Sequence, residues 1–197
     1  MTRFVALWRG INVGKAKRIA MADLRALLAT LGCADVRTLL NSGNAVFDAP
    51  AKGAATLATQ IRRAVAEQLG VDALVIVKSA QEISGAITGN RLGSMAGDPS
   101  RLLVAFTQDA KSLAALGGLA ATRWGDEAIH VGKDAAYVWC ANGILESKMG
   151  AALLRGLGTT GTTRNWATVV KLDALLKSGG SRGPVGNVTG NDAQRSC

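Results

Sequence analysis

Apolar and polar positions follow two rhythms along the chain, and each change of rhythm marks an element. Phe4-Val5-Ala6-Leu7-Trp8 is a continuous apolar run stopped by Arg9-Gly10, which predicts a buried strand and then a loop. Met21, Leu24, Leu27, Leu28 and Leu31 recur at three- and four-residue steps, so they form one stripe of a helix that keeps Asp23 and Arg25 in water and ends at Gly32. Val36, Thr38 and Leu40 step by two and predict a strand; Asn41-Ser42-Gly43-Asn44 turns it, and Ala45-Val46-Phe47 returns before Pro50. Leu57, Ile61, Val65 and Leu69 form a second helical stripe with Arg62, Arg63 and Glu67 outside, and Leu74-Val75-Ile76-Val77 is the next strand. Strand, helix, strand, strand, helix, strand is the order of the ferredoxin-like split β-α-β unit.

The second half predicts a looser copy. Leu102 to Phe106 is a strand, Ala110 to Leu116 a short helix, and Glu127 to Val131 pairs with Ala135 to Cys140 through Gly132-Lys133-Asp134. Two helices follow. Ser147 caps one through Leu153-Leu154 to Gly156, and Thr163 caps another in which Trp166, Val169, Val170 and Leu176 share a face. The expected fold class is therefore α+β, with two ferredoxin-like half-domains packed together. Residues 1–78 form the first, 79–100 a linker with a short helix, and 101–177 the second with its C-terminal helices. Residues 178–197 form a glycine-rich tail with almost no apolar content, expected to be disordered.

Chain direction places the candidate chemistry. The first and second strands of a split β-α-β unit run parallel, so the loop leaving the first and the hairpin leaving the second share one edge of the sheet. Arg9, Asn12 and Lys15 on the loop should therefore meet Ser42 and Asn44 on the hairpin, beside glycine-rich backbone whose N–H groups suit an anion. A structural reading of the same residues is that Arg9 and the asparagines tie the loops together through backbone carbonyls. In the second half, Ser147-Lys148 and Thr163-Arg164-Asn165 stand at expected helix N-termini, where N–H groups also favour anions. Arg164 is notable there, because a cation in the first turn opposes the helix dipole.

Composition adds charge to this picture. The 197 residues carry 23 Lys and Arg against 14 Asp and Glu, a net charge of +9, and such a surface attracts phosphates and other polyanions. Three cysteines at positions 33, 140 and 197 suggest neither a disulfide framework nor a zinc site, and His130 is the single histidine. No metal or cofactor is expected. The absence of a membrane-length apolar run or a signal-like N-terminus gives cytoplasm as the expected location, with no membrane partner.

Several motifs are missing. Gly10 to Lys15 has three residues between its glycines and Ala16 after the lysine, so it is not a P-loop. No Gly-x-Ser-x-Gly elbow occurs, Ser42 has no neighbouring base in sequence, and the strands lack the aromatic pairs that stack RNA bases. Asp126-Glu127 is expected to be a turn rather than part of a metal site.

The chain resembles the bacterial domain of unknown function numbered 1697. The resemblance lies in Trp8-Arg9-Gly10-Ile11-Asn12-Val13-Gly14, Met21 with Leu24-Arg25, Leu31-Gly32 with Asp35-Val36-Arg37-Thr38, Ser42-Gly43-Asn44-Ala45-Val46-Phe47, and Ser147-Lys148 with Thr163-Arg164-Asn165-Trp166 and Lys171-Leu172. It implies a pair of ferredoxin-like subdomains and no particular activity. Lys15 stands where a second glycine usually follows Gly14, and Asn41 replaces a usual glutamine.

Two functions follow as expectations. The first is a protein that binds an anionic partner, nucleic acid or a phosphorylated metabolite, at the edge formed by Arg9, Asn12, Lys15, Ser42 and Asn44. The second is an enzyme acting on a small phosphorylated or carboxylated substrate, with Arg9 and Arg164 as clamps and Ser42 or Lys148 supplying chemistry. Catalysis requires Arg9, Ser42, Lys148 and Arg164 to meet around one pocket between the halves. Catalytic residues, ligand identity and oligomeric state are not fixed by the sequence.

Overall fold

A computed structural model describes residues 1–14, 17–50, 53–93 and 97–178. Lys15 and the tail beyond Ser178 lie outside the described residues. The apolar runs form the strands, and their alternation decides which way each side chain points. Strand β1 (Thr2–Trp8) lies at the centre of a four-stranded antiparallel sheet with β2 (Ala34–Thr38), β3 (Asn44–Ala49) and β4 (Val75–Ser79), in the order β2-β3-β1-β4. Phe4, Ala6 and Trp8 face helices α1 (Met21–Thr30) and α2 (Ala54–Leu69), which cover one side with Leu24, Leu28, Ile61 and Val65. Val5 and Leu7 face the other way.

The second sheet repeats the plan with β5 (Leu102–Thr107), β6 (Ala128–Val131), β7 (Ala136–Trp139) and β8 (Gly161–Asn165) in the order β6-β7-β5-β8. Leu103 and Ala105 face α5 (Lys148–Leu157), where Met149, Leu153 and Leu157 pack with Leu113 of α4 (Ala110–Ala115). Leu102, Val104 and Phe106 face inward. Both halves are thus ferredoxin-like, as the order of elements predicts.

Each last strand runs directly into one more helix, α3 (Ala80–Thr88) after β4 and α6 (Trp166–Lys177) after β8. These two helices pack together between the inner faces of the sheets. One cluster holds Val5, Leu7, Val46 and Ile76 of the first sheet, Leu102, Val104 and Phe106 of the second, Ile83 and Ala86 of α3, and Val169, Leu172 and Leu176 of α6. Tyr137 is wholly buried in it, and its hydroxyl donates to the Ala86 carbonyl at 2.7 Å. The halves therefore share a core through α3 and α6.

Three local expectations are corrected. Gly161–Asn165, which the helix capped by Thr163 would have entered, is strand β8; α6 starts at Trp166, and its cap is Asn165, whose Oδ1 accepts from the Thr168 N–H at 2.9 Å. Arg164 is consequently a strand residue and not a cation in a helix's first turn. Val170 lies outside the apolar face of α6 and is 44% exposed. By contrast, Ser147 does cap α5 through the Gly150 N–H at 2.8 Å, and Cys33 and Cys140 are buried.

Candidate functional site

Trp8 and Gly43 bring the two predicted loops together. The Trp8 N–H donates to the Gly43 carbonyl at 2.9 Å, and Asn12, in a left-handed conformation (φ 56°), donates from Nδ2 to the Asn41 carbonyl at 2.8 Å. The same Nδ2 donates to the Ile19 carbonyl at 2.9 Å, and Oδ1 accepts from the Ile19 N–H at 2.8 Å. Asn12 is thus a fastener for the loop. Gly43 has φ +83°, and a Cβ there would stand 2.7 Å from Ile11 and 2.8 Å from the Trp8 Cβ, so glycine is required at this crossing.

Across the seam between the halves, Arg164 of β8 reaches into this junction. Its Nε donates to Asn44 Oδ1 at 2.6 Å, Nη1 to Thr162 Oγ1 at 3.0 Å and the Thr163 carbonyl at 2.7 Å, and Nη2 to the carbonyls of Trp8 at 2.7 Å and Gly43 at 2.9 Å. These use all five donors of the guanidinium. Every acceptor is neutral. Among the described residues no carboxylate pairs with Arg164, although its residue is only 9% exposed. Burial pushes its pKa down to about 10, because a charge in a poorly polarisable interior lacks the stabilisation water gives it. Asn44 is wholly buried; its Nδ2 donates to the Leu39 carbonyl at 2.8 Å and to Ser42 Oγ at 3.3 Å.

The internal duplication makes the missing carboxylate conspicuous. Val5 on β1 faces Lys78 on β4, and Val104 on β5 faces Arg164 on β8, so the two cations hold matching positions. The next residue caps a helix in both cases, Ser79 in one and Asn165 in the other. Three residues further on the match fails. In the first half Glu82 accepts from Lys78 Nζ at 3.0 Å and from the Ser79 N–H at 2.8 Å, whereas the second half has Thr168. Among the described residues, Lys78 has its counterion and Arg164 does not.

Beside Arg164 the seam opens into a cleft of about 370 Å³. Arg9, Ser42, Arg164 and Asn165 line it, so four of the predicted site residues share one concavity. Arg9 donates from Nη1 to the carbonyl of Gly158, and to that of Gly161 at 3.0 Å, which bridges the first half to the α5–β8 connection. The structural reading of Arg9 and the asparagines as ties to backbone carbonyls thus describes their hydrogen bonds, with Arg9 reaching the other half rather than the hairpin.

Other predicted residues fall elsewhere. Asn44 lies beneath the cleft as the acceptor for Arg164, and Asn12 borders a separate depression with Arg18 and Asn41. Lys148 opens α5 and does not line the cleft; roughly 9 Å of helix separates it from Leu154, which does. The N-terminus of α5 is also occupied: the Met149 N–H donates to Glu127 Oε2 at 2.9 Å. An enzyme needing Arg9, Ser42, Arg164 and Lys148 in one pocket therefore lacks its fourth member. His130 stacks on Tyr137 at 5.8 Å, and no group of three or more metal-ligating side chains comes together among the described residues.

Sequence reasoning missed a second basic hollow. A depression of about 560 Å³ on the other side of Arg9 is lined by Lys17, Arg62 and Asp72. Arg62 grips Asp72 with two bonds of 2.6 and 2.9 Å, and Lys17 Nζ donates to the Asp72 carbonyl at 2.9 Å. Thr168, Val13, Leu40 and Leu154, which also line the seam cleft, were missed too. Aligning the two halves at Lys78-Ser79 and Arg164-Asn165 would have found Thr168.

Comparison with known proteins agrees with this architecture. The conserved bacterial protein SP0830 from Streptococcus pneumoniae is similar in fold, with a TM-score of 0.74 and 23% sequence identity over 89% of this chain and 98% of that one. No curated protein matches the chain. None of the described helices is long and apolar enough to cross a membrane. Residues 1–137 match the family described as protein of unknown function DUF1697, and the chain belongs to that family.

Proposed function

We propose that the protein binds a small anionic ligand in the seam cleft between its two halves. The observation that carries this reading is the buried guanidinium of Arg164, saturated with neutral acceptors and without the carboxylate that its counterpart Lys78 possesses. An anion in the cleft supplies the absent countercharge. Arg164 contributes field rather than hydrogen bonds, since its donors are used; Arg9 has Nε and Nη2 to offer, and Ser42 and Thr163 have hydroxyls. Field from a fixed, poorly hydrated charge is stronger than the same charge gives in water.

A small phosphorylated or carboxylated molecule suits this site better than nucleic acid. The cleft's volume lies in the range of ligand pockets, and the aromatic residue that lines it, Trp8, is wholly buried and presents no stacking face. Catalysis has less support, because Lys148 stands apart and Ser42 Oγ accepts only from Asn44 Nδ2.

The test is a thermal-shift series at low salt with inorganic phosphate, acetate, mononucleotides and short oligonucleotides, on the native chain and Arg9→Gln. Small anions should raise the melting temperature, and Arg9→Gln should reduce the rise at least about threefold. No shift with any anion would overturn the reading. A shift with oligonucleotides alone, scaling steeply with salt, would replace it with nucleic-acid binding.

A further inference from the structure

Among the described residues few large apolar side chains are exposed, and three of them surround one cleft. Val13 is 66% exposed, Leu40 52% and Leu154 41%, and all three line the seam cleft together with Arg9 and Arg164. They come from unrelated elements: the loop after β1, the turn before β3, and α5.

Leu40 adds a second observation. Its φ is +59°, a left-handed conformation that a branched side chain adopts at a cost of about 1–3 kcal/mol. Glycine or asparagine would relieve it, and the neighbouring Asn41 or Gly43 shows that such residues occur in this turn. Strain at an exposed leucine gains nothing from the core. It does turn the isobutyl group to the cleft beside two guanidinium groups.

We infer that the ligand is an amphipathic anion, a carboxylate or phosphate monoester joined to a compact branched or aromatic hydrocarbon group. The anionic head lies toward Arg9 and Arg164, and the hydrocarbon lies against Val13, Leu40 and Leu154. This rests on the anion-binding reading above and names the ligand class for the same cleft. Size agrees: about 370 Å³ equals roughly a dozen waters at about 30 Å³ each, enough for a head group and one ring or short branched chain. The arrangement is also selective. Inorganic phosphate leaves the apolar rim in water, and a neutral hydrocarbon leaves Arg164 without a countercharge.

Isothermal titration of the full chain with two matched pairs, inorganic phosphate against phenyl phosphate and acetate against benzoate, tests the inference. The aromatic member of at least one pair should bind at least about tenfold tighter than its partner, and the pair showing the gap identifies the head group. Leu40→Gly and Leu154→Ser should each narrow that gap. Leu40→Gly also relieves the left-handed strain, so it is expected to fold. Equal affinities within both pairs, or a gap that neither substitution narrows, would overturn the amphipathic class while leaving anion binding intact. If all four probes fail to bind, the anion-binding reading falls as well.

Discussion

Replacing Thr168 with glutamate rebuilds in the second half the carboxylate that Glu82 supplies in the first. The spacing from Arg164 to position 168 equals that from Lys78 to Glu82, and both intervals run from the end of a strand through a capping residue into a helix. Burial of Arg164 without countercharge lowers its pKa to about 10, which corresponds to about 3 kcal/mol of unfavourable charge burial. A carboxylate here competes with its own desolvation, so recovering about 1–2 kcal/mol is the expected net gain. For a chain of this length that raises the melting temperature by about 2–8 °C.

Thr168→Gln is the matching control, with the same shape and no charge. Because Arg164 would depress the glutamate's folded pKa below its unfolded value of about 4.3, the advantage of Thr168→Glu over Thr168→Gln should be present above that pH. It should vanish as pH falls through the folded pKa. Thr168→Glu should also weaken binding of the best probe at least about tenfold, since the cleft then holds its own anion. Calorimetric melts at several pH values and titrations of both variants measure these effects. If the two variants melt together at pH 7 and bind the probe equally, Arg164 needs no countercharge and the argument fails.

Two further outcomes follow from the geometry. Gly43→Ala forces a Cβ to within 2.8 Å of Ile11 and Trp8 at a left-handed φ, and should cost about 2–4 kcal/mol in urea unfolding; a loss under about 0.5 kcal/mol would show the crossing to be looser than described. Burial alone would raise the Glu82 carboxyl, but the Ser79 N–H and the Lys78 ammonium hold it below the usual range. Its contribution is therefore present above its unfolded pKa and lost as pH falls through the folded one. Glu82→Gln should cost about 1–2 kcal/mol at pH 7 and nothing once the pH has fallen below the folded pKa, and a pH-independent difference would refute the charged capping box.

Topology was largely legible because hydrophobic period and turn residues are local signals. Val5 and Leu7 alternate with Ala6 and Trp8, and chain direction alone predicts that Arg9 and Ser42 share an edge. Strand β8 was hidden because Gly161-Thr162-Thr163-Arg164-Asn165 lacks apolar residues; it is held by pairing with β5 and by Arg164, not by a hydrophobic stripe. The partners of Arg164 were illegible for another reason. Trp8 and Gly43 accept through backbone carbonyls, which leave no trace in side-chain identity, and they lie more than a hundred residues away. Lys148 does open a helix after its Ser147 cap, but the contact of Glu127 with the Met149 N–H there joins distant parts of the chain and leaves no local signal.

Synthesis from the N-terminus gives the C-terminal helix α6 a particular timing. It follows the second sheet in the chain, yet it packs on Val5, Leu7 and Val46 of the first. A nascent chain ending before Trp166 would carry a first half whose inner sheet face lacks Val169, Leu172 and Leu176 and is only partly covered, ready to associate wrongly with other apolar surfaces. The dozen residues of α6 leave the ribosome after both sheets and close both halves at once, so truncation before them endangers the earliest-made strands most.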